Sequence, residues 1–158
     1  MKPRIFYLIA LLIVVCDQVT KQLVLSALPV GESHRILGPI LSLTHTRNAG
    51  GAFSLLQARA PVFVIVGVVA VVAMVAAFHR LRGAELPIAT ALALALGGAI
   101  GNLIDRIRFG YVIDFFDIHV WPIFNIADSA ITIAICVLAW RFLAPHSSRN
   151  GRARSKTT

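Results

Sequence analysis

Charge is what this sequence has least of. Only 14% of its 158 residues are charged, against about 25% in a soluble domain. Acids are scarcer than bases, with 7 Asp and Glu against 15 Lys and Arg. Cysteine is nearly absent: Cys16 and Cys136 both lie in apolar runs, so neither a disulfide framework nor a cysteine metal motif is available. Both are expected to be buried in membrane helices. His34, His45, His79, His119 and His146 are scattered without ligand spacing, and no HExxH occurs. No metal and no cofactor are therefore expected. A net charge of +8 raises nucleic acid as a partner. The basic residues, however, gather at the chain ends and one short loop without interleaved aromatics, so no nucleic-acid partner is expected.

What the sequence does have is long apolar runs. Hydrophobic residues make up 58% and the mean hydropathy is +0.81, the composition of an integral membrane protein. Four spans are expected: Ile5 to Leu25, Pro61 to Phe78, Leu86 to Ile104 and Ile126 to Leu143. Each approaches the ~20 residues that a helix needs to cross the hydrocarbon core. The length suggests one domain. Gly97 and Gly101 form a GxxxG pair after an alanine-rich run, which puts the third span at the centre of the bundle. At the N-terminus, Lys2 and Arg4 precede an apolar run that ends at Cys16, as in a lipoprotein signal peptide. Val15 stands where a small residue is expected and three more spans follow, so the run reads as an uncleaved first transmembrane helix.

Lys2, Arg4, Arg80, Arg82, Arg141, Arg149, Arg152, Arg154 and Lys156 fall on one side of these spans. The opposite segments carry fewer bases: Arg35, Arg47, Arg59, Arg106 and Arg108. The positive-inside rule puts both termini in the cytoplasm and the acid-bearing segments outside. Between spans one and two, Ile36, Ile40, Leu41 and Leu43 sit among Gly38, Pro39 and Thr44 to Thr46, which reads as a small β element. Tyr111 to Val120 is aromatic and β-branched and suits pairing with it. Residues 146–158 read as a disordered basic cytoplasmic tail that touches anionic lipid.

The carboxylates carry the chemistry. Ionisable groups in or beside a bilayer are costly, so they are functional candidates. Strand alternation puts Val112, Asp114 and Phe116 on one face; alone, Asp114 reads first as a solvated strand carboxylate. Asn125 can cap the fourth helix with Asp128 at N3, a capping-box variant. As a pair, the two acids suit a dyad that shares one proton, one member acting as base toward water and the other holding a carbonyl oxygen. Asp17 and Lys21 lie four apart and read as a mutually neutralising structural pair. Asn102, Asp105 and Arg106 share a helical stripe. Asp105 reads as structural, while Arg106 either pairs with it or holds a substrate carbonyl. Arg47-Asn48-Ala49-Gly50-Gly51-Ala52-Phe53 reads as a tight turn with close backbone approach, in which Asn48 is a peptide-binding candidate.

Five motifs occur in order: Asp17-Gln18-Val19-Thr20-Lys21, Asn48-Ala49-Gly50-Gly51-Ala52-Phe53-Ser54, Gly101-Asn102-Leu103-Ile104-Asp105-Arg106, Val112-Ile113-Asp114-Phe115 and Phe124-Asn125-Ile126-Ala127-Asp128-Ser129. Together with four spans they resemble the bacterial lipoprotein signal peptidases, the type II signal peptidases. The resemblance covers nearly all of the chain except its tail. It implies an aspartyl endopeptidase of the inner membrane, with its active site at the periplasmic side. Such an enzyme removes the signal peptide from a diacylglyceryl-modified prolipoprotein, cutting before the lipidated cysteine. It implies Asp114 and Asp128 as the catalytic pair, and Asn48, Gly50, Asn102, Arg106 and Asn125 as substrate-site residues. Membrane lipid and globomycin-type inhibitors are implied partners. The implied architecture is a four-helix membrane protease domain, 1–145, with a periplasmic β-cradle and amphipathic segment at about 28–60. The connection between Asp114 and Asp128 is shorter than is usual in the family, which leaves open the shape of the lid-like segment 119–122. The competing reading is a four-helix transporter or proton channel that uses the same acids as a relay.

Overall fold

The computed structural model of the chain describes residues 1–50, 60–81, 83 and 85–143. The 51–54 part of the turn motif, the amphipathic segment beyond residue 50, Arg82 and the basic tail 146–158 lie outside the described residues. Four long helices carry the fold: α1 (Pro3–Ala27), α2 (Ala60–Arg80), α3 (Leu86–Phe109) and α4 (Ile126–Leu143). All four are long and apolar enough to cross a membrane. At 18 to 25 residues they reach roughly 27–38 Å, against a hydrocarbon core of about 30 Å. Between α1 and α2 lie β1 (Ser33–Leu37) and β2 (Leu41–Asn48); between α3 and α4 lies β3 (Val112–Asp117).

Helix α3 extends past the expected end at Ile104. Its last turns carry Asp105, Arg106 and Arg108, whose partners lie in the protein and not in lipid. It stops at Gly110, which adopts the left-handed conformation (φ 80°) and returns its N–H to the Arg106 carbonyl at 3.0 Å. Glycine takes that conformation without steric cost. At the other membrane face, Phe6 of α1 stacks on Phe78 of α2, with ring centroids 3.8 Å apart. Around them Ala10, Ala89, Ala93 and Leu96 close a core. There too Arg141 of α4 pairs with Glu85, which precedes α3.

Helix α3 is the centre of the bundle, packed on α1, α2 and α4. Small residues make this possible, and a third glycine joins the GxxxG pair. A methyl added at Gly97 would stand 2.7 Å from the Ala10 carbonyl oxygen of α1. One at Gly98 would stand 2.5 Å from the Ala127 carbonyl oxygen of α4, and one at Gly101 would stand 2.6 Å from Asp17 Oδ2. Consecutive glycines therefore seat two different helices against α3.

The strands form one antiparallel sheet in the order β1-β2-β3. It lies across the ends of α1 and α4, where Val24 and Leu28 pack on Phe115, with Leu43, Phe116 and Ile126 around them. The expected alternation does not translate into one wet face. Val112, Ile113, Asp114 and Phe115 are all buried, because one face rests on the helix ends and the other on the polar site. The solvated-carboxylate reading of Asp114 is thereby overturned. The expectation for the cysteines also fails: Cys16 and Cys136 are exposed. In a membrane span an apolar residue is as well solvated by lipid as by protein, so hydropathy does not say which way it faces.

Gly98→Val is expected to destabilise the bundle by about 1–3 kcal/mol, since the clash is with backbone. Thermal unfolding in detergent measures it. A midpoint equal to that of the parent protein would show that α3 and α4 are not in the close contact described.

Candidate active site

The site grows from one ammonium group. Lys21 is buried, and its Nζ reaches Asp17 Oδ2 at 2.8 Å, Asp105 Oδ2 at 2.8 Å and Asn102 Oδ1 at 3.0 Å. An ammonium has three donors, and each has an acceptor here. The expected pair of Asp17 and Lys21 is thus one edge of a larger cluster. The pairing of Arg106 with Asp105 considered from the sequence is not found, since the ion-pair partner of Asp105 is Lys21. Arg106 instead donates to its own helix, to the Asn102 carbonyl at 3.4 Å. Its guanidinium stands over the Phe63 ring, 5.7 Å from the centroid, within electrostatic reach of Asp128, Asp114 and Asp105.

The two acids also fix the frame. Asp17 Oδ1 accepts the Ala127 N–H at 3.0 Å, so a carboxylate from α1 caps the first turn of α4. Asp105 Oδ2 accepts the Ile113 N–H at 3.1 Å, which holds the start of β3. Gln18 donates to Asp17 Oδ2, the Gly101 carbonyl and Asp105 Oδ1 at 3.2, 3.1 and 2.9 Å. Gln18 was not singled out from the sequence; its place beside Asp17 in α1 carries no local signal of a partner on α3.

Orientation then passes through amides. The Asn102 oxygen faces the Lys21 cation, so its NH₂ points away and donates to Asp128 Oδ1 at 2.7 Å. Asn125 caps α4 in a reciprocal box: its Oδ1 accepts the Asp128 N–H at 2.9 Å, and Asp128 Oδ2 accepts the Asn125 N–H at 3.4 Å. That leaves the Asn125 NH₂ to donate, and it reaches Asp114 Oδ1 at 2.7 Å and Asn102 Oδ1 at 3.2 Å. On the sheet, Asn48 pairs with Val112, and Asp114 lies two residues further along β3 on the same face. This diagonal is within side-chain reach, and Asn48 Nδ2 donates to Asp114 Oδ2 at 3.0 Å. The Gly50 N–H in turn fixes the Asn48 oxygen at 3.1 Å. Gly50 has φ 118° and abuts the Phe63 ring.

Asp114 and Asp128 thus converge through Asn125 and Asn102. Asp114 is 1% exposed. Burial pushes its carboxyl from the ordinary 3.8 up to about 7; the charge of Asp128 adds to the rise, while Asn48, Asn125 and Lys21 oppose it. A carboxyl raised toward neutral pH beside a second carboxylate is equipped for paired acid–base work. Among the described residues no group of His, Cys, Asp and Glu has the make-up of a metal site. Segment 119–122 follows a turn in which Asp117 Oδ1 accepts the His119 N–H at 2.8 Å, and Phe124 returns to pair with Phe116. The sequence also left His45 unassigned. It is buried, and its Nδ1 lies 2.7 Å from the Leu28 carbonyl oxygen, tying β2 to the end of α1.

Known proteins similar to this chain identify its family. The family model for signal peptidase (SPase) II matches residues 9–144. The lipoprotein signal peptidase of Moorella thermoacetica is 43% identical over 140 residues, covering 89% of this chain and 93% of that one. That of Halothermothrix orenii is 39% identical over 132 residues, covering 84% and 90%. A solved structure described as a bacterial membrane enzyme superposes with a TM-score of 0.84 at 32% identity, covering 98% of this chain and 96% of that one.

Lys21→Met is expected to cost about 3–5 kcal/mol, because it strands two buried carboxylates. Thermal unfolding of the purified variant tests this. Undiminished stability would mean that water, not Lys21, compensates Asp17 and Asp105.

Proposed function

The chain belongs to the signal peptidase II family, and on that premise we propose that it is an aspartic endopeptidase that cleaves the signal peptide from diacylglyceryl-modified prolipoproteins, immediately before the lipidated cysteine. The observation that carries the aspartic reading is the convergence of buried Asp114 and α4-capping Asp128 on shared amides. The family and the relatives' names support the substrate class.

The two acids take different roles because their surroundings differ. Asp128 lies in the first turn of α4, where the helix N-terminus favours negative charge. It is the base: it takes a proton from water as the water oxygen attacks the scissile carbonyl carbon. Asp114, kept neutral by burial, donates its proton to the carbonyl oxygen. Both Asp114 oxygens already accept an amide N–H, so the acid proton is the hydrogen left for the substrate. On collapse, the proton held by Asp128 passes to the departing cysteine nitrogen, the C–N bond breaks, and Asp114 regains its own proton from the intermediate's hydroxyl. Asn48 and Asn125 orient Asp114, and Asn102 orients Asp128. Arg106 and the close backbone approach at Gly50 hold the peptide. Lys21, Asp17 and Asp105 maintain the frame.

The distribution of Lys and Arg supports both termini in the cytoplasm and the site at the outer face of the inner membrane. At that interface the substrate's acyl chains stay in lipid. Each buried CH₂ contributes about 0.8 kcal/mol, so two chains hold the cysteine at a set depth.

Asp114→Asn and Asp128→Asn are each expected to lower cleavage by about 10²–10⁴-fold in a folded protein, and the double variant no further, since the pair acts as one unit. The pH profile has a definite sign. The active form carries a proton on Asp114, whose value is raised to about 7. Activity therefore falls as pH rises through that value; a rate that climbs there would exchange the two roles.

The proposal as a whole is tested by incubating purified protein with a prolipoprotein precursor, with and without its diacylglyceryl group, at equal membrane concentration. Only the modified precursor should be cut efficiently. Equal rates would sink the lipid-set depth and leave side-chain recognition.

A further inference from the structure

The end of the sheet farthest from Asp114 and Asp128 bears two turns with exposed apolar side chains. The β1–β2 turn reads Ile36-Leu37-Gly38-Pro39-Ile40-Leu41, with no polar side chain. Ile36, Leu37 and Ile40 are 54%, 59% and 63% exposed. The connection from β3 to α4 brings a second apolar tip, with Val120 87% and Trp121 66% exposed. The two tips lie at the same end, because Leu37 pairs with Leu41 and the next residue, Ser42, pairs with Asp117. They are also tied: the Ser42 hydroxyl lies 3.2 Å from His119 Nε2. His119 itself has φ 62° and is held by Asp117 Oδ1.

The position of this end follows from the packing. The middle of the sheet rests on the ends of α1 and α4 through Leu43, Phe115 and Phe116. Its opposite end, with Asn48 and Val112, is at the carboxylate site. The apolar tips therefore project past the bundle. Val15, Val19 and Leu23 form an exposed apolar stripe along α1, and Val30, beyond the end of that helix, is exposed as well. The sheet lies at the ends of α1 and α4, helices long and apolar enough to span a membrane, and its tips expose apolar side chains as those spans do. They present large apolar side chains, and one of them bears a tryptophan, the residue enriched where membrane meets water.

We propose that turns 36–41 and 119–121 form a two-pronged foot that inserts into the lipid interface on the sheet side of the membrane, with Trp121 at headgroup level. The foot makes the sheet a bridge with two supports, the helix ends at its middle and the bilayer at its far end. That fixes the height of Asn48 and Asp114 above the acyl region. Arg35, beside the first prong and exposed, keeps its guanidinium among the headgroups while its stem lies along the apolar tip.

The chain has only 2 tryptophans, which makes the test direct. Trp140 is exposed near the end of α4, on the other membrane face, and Trp140→Phe leaves Trp121 as the sole reporter. The full-length variant is reconstituted into phosphatidylethanolamine–phosphatidylglycerol vesicles. Trp121 emission should lose most of its intensity when the lipids carry bromine on shallow acyl carbons, and little when iodide is added to the water. Quenching by iodide and not by brominated lipid would overturn the proposal, since the tips would then stand in water. Protection from both quenchers that disappears as protein is diluted in lipid would assign the patch to a second copy and overturn it equally. Protection from both at every dilution would mean that the chain covers its own tips, which also overturns it. Adding Ile36→Ser and Ile40→Ser should shift Trp121 emission to the red and open it to iodide. Unchanged emission would separate the prongs and refute a joint foot. None of these readings depends on cleavage.

Discussion

The ammonium of Lys21 is the point on which the rest of this structure depends. A cation in a membrane bundle is tolerated only if its charge and all its donors are met. Lys21 meets this with two carboxylates and one amide oxygen. Each of those acceptors does a second job. Asp17 caps α4, Asp105 anchors β3, and Asn102 presents its NH₂ to Asp128. One buried cation thereby sets the relation of α1, α3, α4 and β3, and the polarity of the amide chain that ends at the two acids.

That polarity is an unusual form of preorganisation. An asparagine amide can be turned over at little local cost, and its two ends are then exchanged. Here each has its oxygen fixed by a donor other than the acid carboxyls: Asn102 by Lys21, Asn125 by the backbone N–H of Asp128, Asn48 by the N–H of Gly50. The remaining end of each must donate to the carboxyl of Asp114 or Asp128. In a low dielectric such a satisfied network is rigid, and a half-satisfied one is costly. Stability and site geometry are therefore hard to separate among these residues. The capping box at α4 shows the same overlap, since Asn125 and Asp128 terminate a helix and furnish the site with the same atoms.

The lipid surroundings change what burial means. Helix α2 is apolar all round and packs chiefly on α3, a pattern that would be a core helix in water. Here lipid takes the place of a protein core. The outward-facing Cys16 and Cys136 follow the same rule. What must be buried in protein is the polar material, and the structure gathers Asp17, Lys21, Asn102, Asp105, Asp114 and Asn125 into its interior.

A good deal of this was legible along the chain. Four apolar stretches specified four spans, because crossing a hydrocarbon layer requires their length and composition and little else. Asp114 and Asp128 stood out because charge near a bilayer is expensive, and the Asn125–Asp128 box was legible because a helix start is a local event. The strands were legible in the same way. The tertiary structure alone decided what those groups touch. Asp17 meets the Ala127 N–H across 110 positions of chain, Gln18 reaches α3, Gly98 seats α4, and Lys21, not Arg106, takes Asp105. Periodicity and spacing report on neighbours along one helix or strand. A buried polar group takes its partner from whichever segment the packing brings to it, and that choice is made only when the elements close on one another.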